Sequence, residues 1–139
     1  GIKLGLPNIA IIVVLYKLGW KEAVIINVIR VLLVSILFST VLSMLYSIAG
    51  AVLSLLAMIL LKKFLSIVAV SVIGGICHNI GQITMACILL ETNVIVYYLP
   101  FLLLSGTVTG IMIGAASVLL IKRIKTVKTD IWKSSTMQH

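Results

Sequence analysis

Apolar residues run along this chain in five long continuous stretches, at about 8–18, 23–44, 46–61, 65–90 and 94–121, and the polar breaks between them are short and mostly cationic. A helix needs about 20 apolar residues to cross the hydrocarbon core of a bilayer. The first stretch is short for that, with Pro7 suited to its first helical turn, and it needs residues 4–7 or a thin neighbourhood to cross. The fifth is long enough to tilt, or to begin with an interfacial turn around Tyr97, Tyr98 and Pro100. Membrane-spanning strands would alternate apolar with polar positions, and runs such as Ile9 to Leu15 do not. The pattern predicts an all-α, polytopic transmembrane helical bundle of five spans over residues 1–125. Residues 126–139 follow as a polar tail without periodicity, expected to fray.

Charge orients the bundle. Lys17 with Lys21, Lys62 with Lys63, and Lys122, Arg123, Lys125 and Lys128 fall on one side if five helices cross, leaving Lys3 and the Glu91 loop on the other. By the positive-inside bias the cationic side, and the C-terminus with it, is cytoplasmic in a bacterial cytoplasmic membrane.

Composition agrees with a bilayer. Of 139 residues, 62% are hydrophobic, more than one soluble core of this size buries. The formal charge of +8 sits between and after the apolar stretches, so it orients helices instead of forming a nucleic-acid surface. Cys77 and Cys87 lie ten residues apart in one stretch, about 15 Å along a helix, too far for a disulfide within it. No metal-ligand spacing occurs, and no cofactor is expected. The chain opens at Gly1, without a charged region and cleavage site, and the natural N-terminus is expected to lie upstream.

Two constellations stand out. On the fifth stretch Gly106, Gly110 and Gly114 share one helical face, where two backbones can approach closely; the face serves packing inside the bundle or a partner subunit. Ser71 with Gly75 on the fourth, and Ser35 with Ser39 on the second, repeat the spacing more weakly. On the fourth, His78, Asn79 and Gln82 form a polar arc at membrane depth. Buried amides and imidazoles are costly in hydrocarbon unless paired, so this arc serves inter-helix hydrogen bonds or a ligand pocket. Arg30, with Asn27 one turn earlier, either snorkels toward the cytoplasmic end of its helix or pairs inside the bundle with backbone carbonyls or a bound anion. Asn8, at the expected start of the first span, satisfies free backbone groups or reaches a pocket. Trp20, Tyr97 and Tyr98 suit an interfacial belt.

Catalysis finds little support. Asp130 is the only aspartate, whereas holding Mg²⁺ against a diphosphate takes clustered carboxylates. No phosphate-binding Gly-rich loop occurs, and His78 has no evident nucleophile or acid partner.

The opening Gly1-Ile2-Lys3-Leu4-Gly5-Leu6-Pro7-Asn8-Ile9, the turn Gly19-Trp20-Lys21-Glu22-Ala23 with Arg30-Val31-Leu32-Leu33, the segment His78-Asn79-Ile80-Gly81-Gln82, and Tyr97-Tyr98-Leu99-Pro100 with Leu104-Ser105-Gly106 occur in an order that resembles the Gx transporter family, whose members are often labelled heptaprenyl diphosphate synthase component I. The resemblance covers about residues 1–125. That family is similar to the substrate-binding S components of energy-coupling-factor transporters, six-helix membrane proteins, of which this chain lacks the first helix. The resemblance implies a small-molecule ligand (a vitamin, flavin or quinone precursor) captured outside, with a transmembrane coupling subunit and two ATPases as partners. On that reading the polar arc of His78, Asn79 and Gln82 is expected in the pocket, with Arg30 as a structural or anion-pairing residue and Asn8 as a further pocket candidate. The synthase label implies instead a non-catalytic accessory subunit in menaquinone biosynthesis.

Overall fold

A computed structural model describes the backbone of residues 2–38 and 40–136, and the side chains of 8–37 and 40–125. Five helices follow one another: α1 (Ile2–Lys17), α2 (Trp20–Phe38), α3 (Val41–Leu61), α4 (Ile67–Leu90) and α5 (Leu99–Thr136), with a 3₁₀ segment at Val94–Tyr98 before α5. No strand occurs among the described residues, and the chain is an all-helical bundle.

Local chemistry sets the breaks. Between α1 and α2, Gly19 adopts φ +142°, a region that side chains disfavour, and its N–H returns to the Val14 carbonyl at 3.1 Å. Thr40 and Ser66 are N-caps whose hydroxyls accept from the Ser43 and Ala69 N–H groups at 3.3 and 3.2 Å. Glu91 ends α4 in the left-handed region at φ 49°. Pro100 falls in the first turn of α5, where its missing N–H leaves no helical bond unmade.

The helices close into a ring in chain order, each touching the next, with α1 also against α5. The close approaches along α4 show the directions. Going down α4 from Asn79 to Val68, its partners on α5 run from Leu102 to Gly114, while His78 and Gly74 meet Gly50 and Met58 of α3. Helices consecutive in the chain are therefore antiparallel, which leaves α1 and α5 parallel where they close the ring, and the start of α1 shares a level with the end of α2 and the end of α4.

Small residues bring α3, α4 and α5 together. A Cβ on Gly110 would stand 2.6 Å from the Val72 Cα, one on Gly114 2.7 Å from the Val68 Cα, and one on Gly81 2.8 Å from the Ala49 carbonyl oxygen. Helices this close gain backbone van der Waals contact that lipid cannot supply. Gly106, Gly110 and Gly114 thus face α4, with Gly75 opposite Gly106. On α2 the buried face is Ala23, Asn27, Val31 and Ser35, four residues apart throughout, while Ile25, Ile29, Leu32, Leu33 and Ile36 face outward. That outer surface is costly in water and suited to acyl chains.

Three helical segments are long and apolar enough to cross a membrane: Val41–Leu61, Ile67–Leu90 and Val94–Lys125. The apolar part of α1, Asn8–Lys17, is shorter, and α2 carries Lys21, Glu22 and Arg30 in its 19 residues.

The structure differs from the sequence expectations at three places. Helix α1 begins at Ile2 and runs through Pro7, so Asn8 lies in mid-helix and has no terminal backbone groups to satisfy. The second helix ends at Phe38 and the third begins at Val41, instead of parting near Tyr46, because the Thr40 cap starts a helix inside a continuous apolar run. Beyond residue 125 the chain continues as helix to Thr136. Ile121, Ile124, Val127 and Ile131 recur three or four residues apart there, a helical period that the surrounding lysines mask. The side chains of Lys3 and Lys128, and residues 137–139, lie outside the described residues.

Candidate functional site: a polar cavity inside the helix ring

Polar side chains inside an apolar bundle must pair with something, and here they divide into those used between helices and those left facing a space. Asn27 Nδ2 donates to the Ala51 carbonyl at 3.4 Å, joining α2 to α3. Asn79 Nδ2 donates to the Leu102 carbonyl at 2.5 Å, joining α4 to α5. Arg30 Nη1 donates to Asn8 Oδ1, joining α2 to α1. Lys62 Nζ reaches the Leu15 carbonyl at 3.3 Å, tying α3 to the end of α1.

The ring surrounds a partly open cavity of about 250 Å³ to which all five helices contribute. At about 30 Å³ per water this holds roughly eight water volumes. From α1 come Asn8, Ile11 and Ile12; from α2, Asn27 and Arg30; from α3, Ala51, Ser54 and Met58. Helix α4 contributes Ser71, Gly74, Gly75, His78, Asn79 and Gln82, and α5 the face from Leu102 to Ile113. Glycines let the α4 and α5 backbones form part of the wall directly.

The cavity is graded. Given the helix directions above, Asn8, Arg30, Asn79, Gln82 and Leu102 lie at the end where α1 begins, with His78 one turn below Gln82. Ile12, Met58 and Ile113 lie toward the opposite end, with Ser54 and Ser71 beside them. A ligand held here would meet amides and a cation at one end and a mainly aliphatic and thioether surface, with two hydroxyls, at the other.

The five residues expected in a pocket, His78, Asn79, Gln82, Arg30 and Asn8, all line this one cavity. Gly75, Gly106 and Gly110 line it as well, whereas Gly114 remains in the seam with α4. Their local roles differ. Asn79 is engaged between helices, and the His78 imidazole lies against the Gly50 backbone. The Gln82 side chain makes no hydrogen bond among the described residues. Arg30 pairs inside the bundle: its guanidinium reaches across to Asn8 on α1.

The sequence pattern offers Asn27 only as a helper to Arg30 and gives Ser54, Ser71, Ser105 and Thr109 no place in the pocket, yet all five line it. Asn27, Ser54 and Ser71 are buried, and Ser105 and Thr109 stand exposed at the rim. The available signal was spacing. Asn27 is one turn from Arg30, and Ser54 and Ser71 are each four residues from a glycine, on faces that must point inward.

Among the described residues no three of His, Cys, Asp and Glu come together, and Cys77 and Cys87 are free thiols. The arrangement is equipped to hold a molecule by shape and hydrogen bonding. Neither a curated protein nor a solved structure matches the chain. Over residues 1–120 it matches the model of the family described as heptaprenyl diphosphate synthase component I, a membrane-associated accessory subunit without catalysis of its own, and the chain belongs to that family.

Proposed function

We propose that this chain is the membrane-embedded substrate-binding subunit of an energy-coupling-factor-type transporter, taking up a small molecule such as a vitamin, flavin or quinone precursor. The carrying observation is the cavity: five helices converge on one partly open space with amides, an imidazole and a guanidinium at one end and mainly apolar walls, with two serine hydroxyls, at the other. Bundles place ligand sites between facing helices in this way. A pure scaffold gains nothing from an unfilled polar space, since unpaired polar groups in hydrocarbon cost several kcal/mol and filling the space with side chains removes that cost.

Capture occurs from the outside, with the Lys62 and Lys122 ends of the bundle on the cytoplasmic side of a bacterial cytoplasmic membrane. The polar end of the cavity then faces outward. His78 and Gln82 engage the ligand from α4, Arg30 and Asn8 from the opposite wall, and Asn79 holds α5 in place while exposing its remaining amide face. A coupling subunit and two ATPases supply the energy, as this chain has no nucleotide-binding loop.

The family description favours a second reading, a partner subunit that activates a separate heptaprenyl diphosphate synthase chain. Purification of the protein from its own membranes in mild detergent, followed by native mass spectrometry, separates the two. Transport predicts ATPase chains in the complex and a small molecule on this subunit. A prenyl synthase chain in the complex, with the cavity empty, overturns the transport reading.

A further inference from the structure

We propose that the cavity selects an amphipathic monoanion, a carboxylate or phosphate head on a compact apolar body, and that Arg30 neutralises the head. This rests on the cavity being a ligand site. Among the described residues Arg30 is the only Lys or Arg on the cavity wall, and none of them that lines it is acidic. The whole chain has three acids. Glu22 lies about 12 Å down the same helix, Glu91 about 13 Å beyond Gln82, and Asp130 about 25 Å beyond Ile113 by helical rise.

The guanidinium carries five N–H donors, and the structure uses one, on the neutral amide oxygen of Asn8. A half-buried cation with a neutral partner and free donors keeps part of a desolvation cost that an anion in the cavity offsets. The Asn8 bond fixes one edge of the fork, leaving the remaining donors for the head. Position supplies the other half of the specificity. Arg30 shares the polar part of the cavity with His78, Asn79 and Gln82, and Ile12, Met58 and Ile113 lie toward the far end beside Ser54 and Ser71, so a mainly apolar body extends away from the charge. A volume of about 250 Å³ admits a body of one ring or a short chain, far short of a polyprenyl tail.

The full chain, stripped of lipid in neutral detergent, is titrated with 4-phenylbutyrate, with its uncharged isostere 4-phenylbutyramide, and with dihexanoylphosphatidylglycerol, reading the melting temperature. Arg30→Gln and Arg30→Lys are run in parallel, the lysine keeping the charge if the glutamine folds poorly. The expected result is carboxylate binding about tenfold tighter than amide binding in the native chain, with the preference abolished by Arg30→Gln and partly kept by Arg30→Lys. Stabilisation by the phosphatidylglycerol alone, with the same Arg30 dependence, keeps the anion site but assigns it to a lipid headgroup and overturns solute capture. Equal binding of acid and amide, indifferent to Arg30, overturns the monoanion and leaves the cavity reading intact. No binding of any of the three overturns both.

Discussion

Gly75 of α4 and Gly106 of α5 lie backbone against backbone: a Cβ on Gly75 would stand 2.8 Å from the Gly106 carbonyl oxygen, and one on Gly106 3.2 Å from the Gly75 carbonyl oxygen. Both also line the cavity. The same lack of side chains that lets the helices touch leaves room beside them, so packing and pocket are made by one device.

That seam has a direct test. Gly110→Leu sets a side chain where a Cβ alone would meet the Val72 Cα at 2.6 Å, backbone that cannot yield cheaply. The expected loss is about 1–3 kcal/mol, read as a lower melting temperature in detergent. Ala115→Leu, on the exposed face of the same helix, should leave it unchanged. Equal behaviour of the two variants would remove the seam from the account.

The tie between α3 and α1 is expected to be measurable. Lys62→Met removes the donor to the Leu15 carbonyl and should lower stability by about 0.5–1.5 kcal/mol. Lys63→Met, at the exposed neighbour, should change it by less than about 0.5 kcal/mol. Paired denaturation curves decide.

Topology follows from labelling. Single cysteines at Lys63 and at Glu91, both exposed and in a background without Cys77 and Cys87, should react with an impermeant reagent from opposite sides of the membrane. Modification of both from outside intact cells would contradict five crossings, since α4 alone separates the two positions.

The two amides of the polar arc should separate. Asn79→Leu forfeits the 2.5 Å bond to the Leu102 carbonyl and should destabilise the bundle by about 1 kcal/mol. Gln82→Leu breaks no bond among the described residues and should melt within about 0.5 kcal/mol of the native chain. A larger loss at Gln82 than at Asn79 would reverse their assigned roles.

Much of this was legible in the residues, for identifiable reasons. Polar groups in continuous apolar runs are conspicuous because hydrocarbon penalises them, so His78, Asn79, Gln82 and Arg30 announced themselves. The tight glycine spacing on α5 was equally visible. Which polar group spends itself on a neighbouring helix was not legible: Asn79 and Gln82 are one turn apart and chemically alike, and only tertiary register gives Asn79 a carbonyl. Ser54 and Ser71 were hidden for the opposite reason, because hydroxyls commonly bond their own helix backbone and so carry a weak signal. Helix ends failed where a weak break sat inside a strong pattern, as at Thr40, and where lysines masked a helical period, as beyond residue 125.

If the cavity holds a small molecule, Gln82 is where this shows with least disturbance to the fold. The measurement is native mass spectrometry of the protein drawn from its own membranes, native and Gln82→Leu, with melting temperatures taken on the same samples. The expected result is a bound small molecule on the native chain, lost or sharply reduced in Gln82→Leu at an unchanged melting temperature. A native chain that carries nothing, or a variant that keeps the bound molecule while melting early, would contradict it.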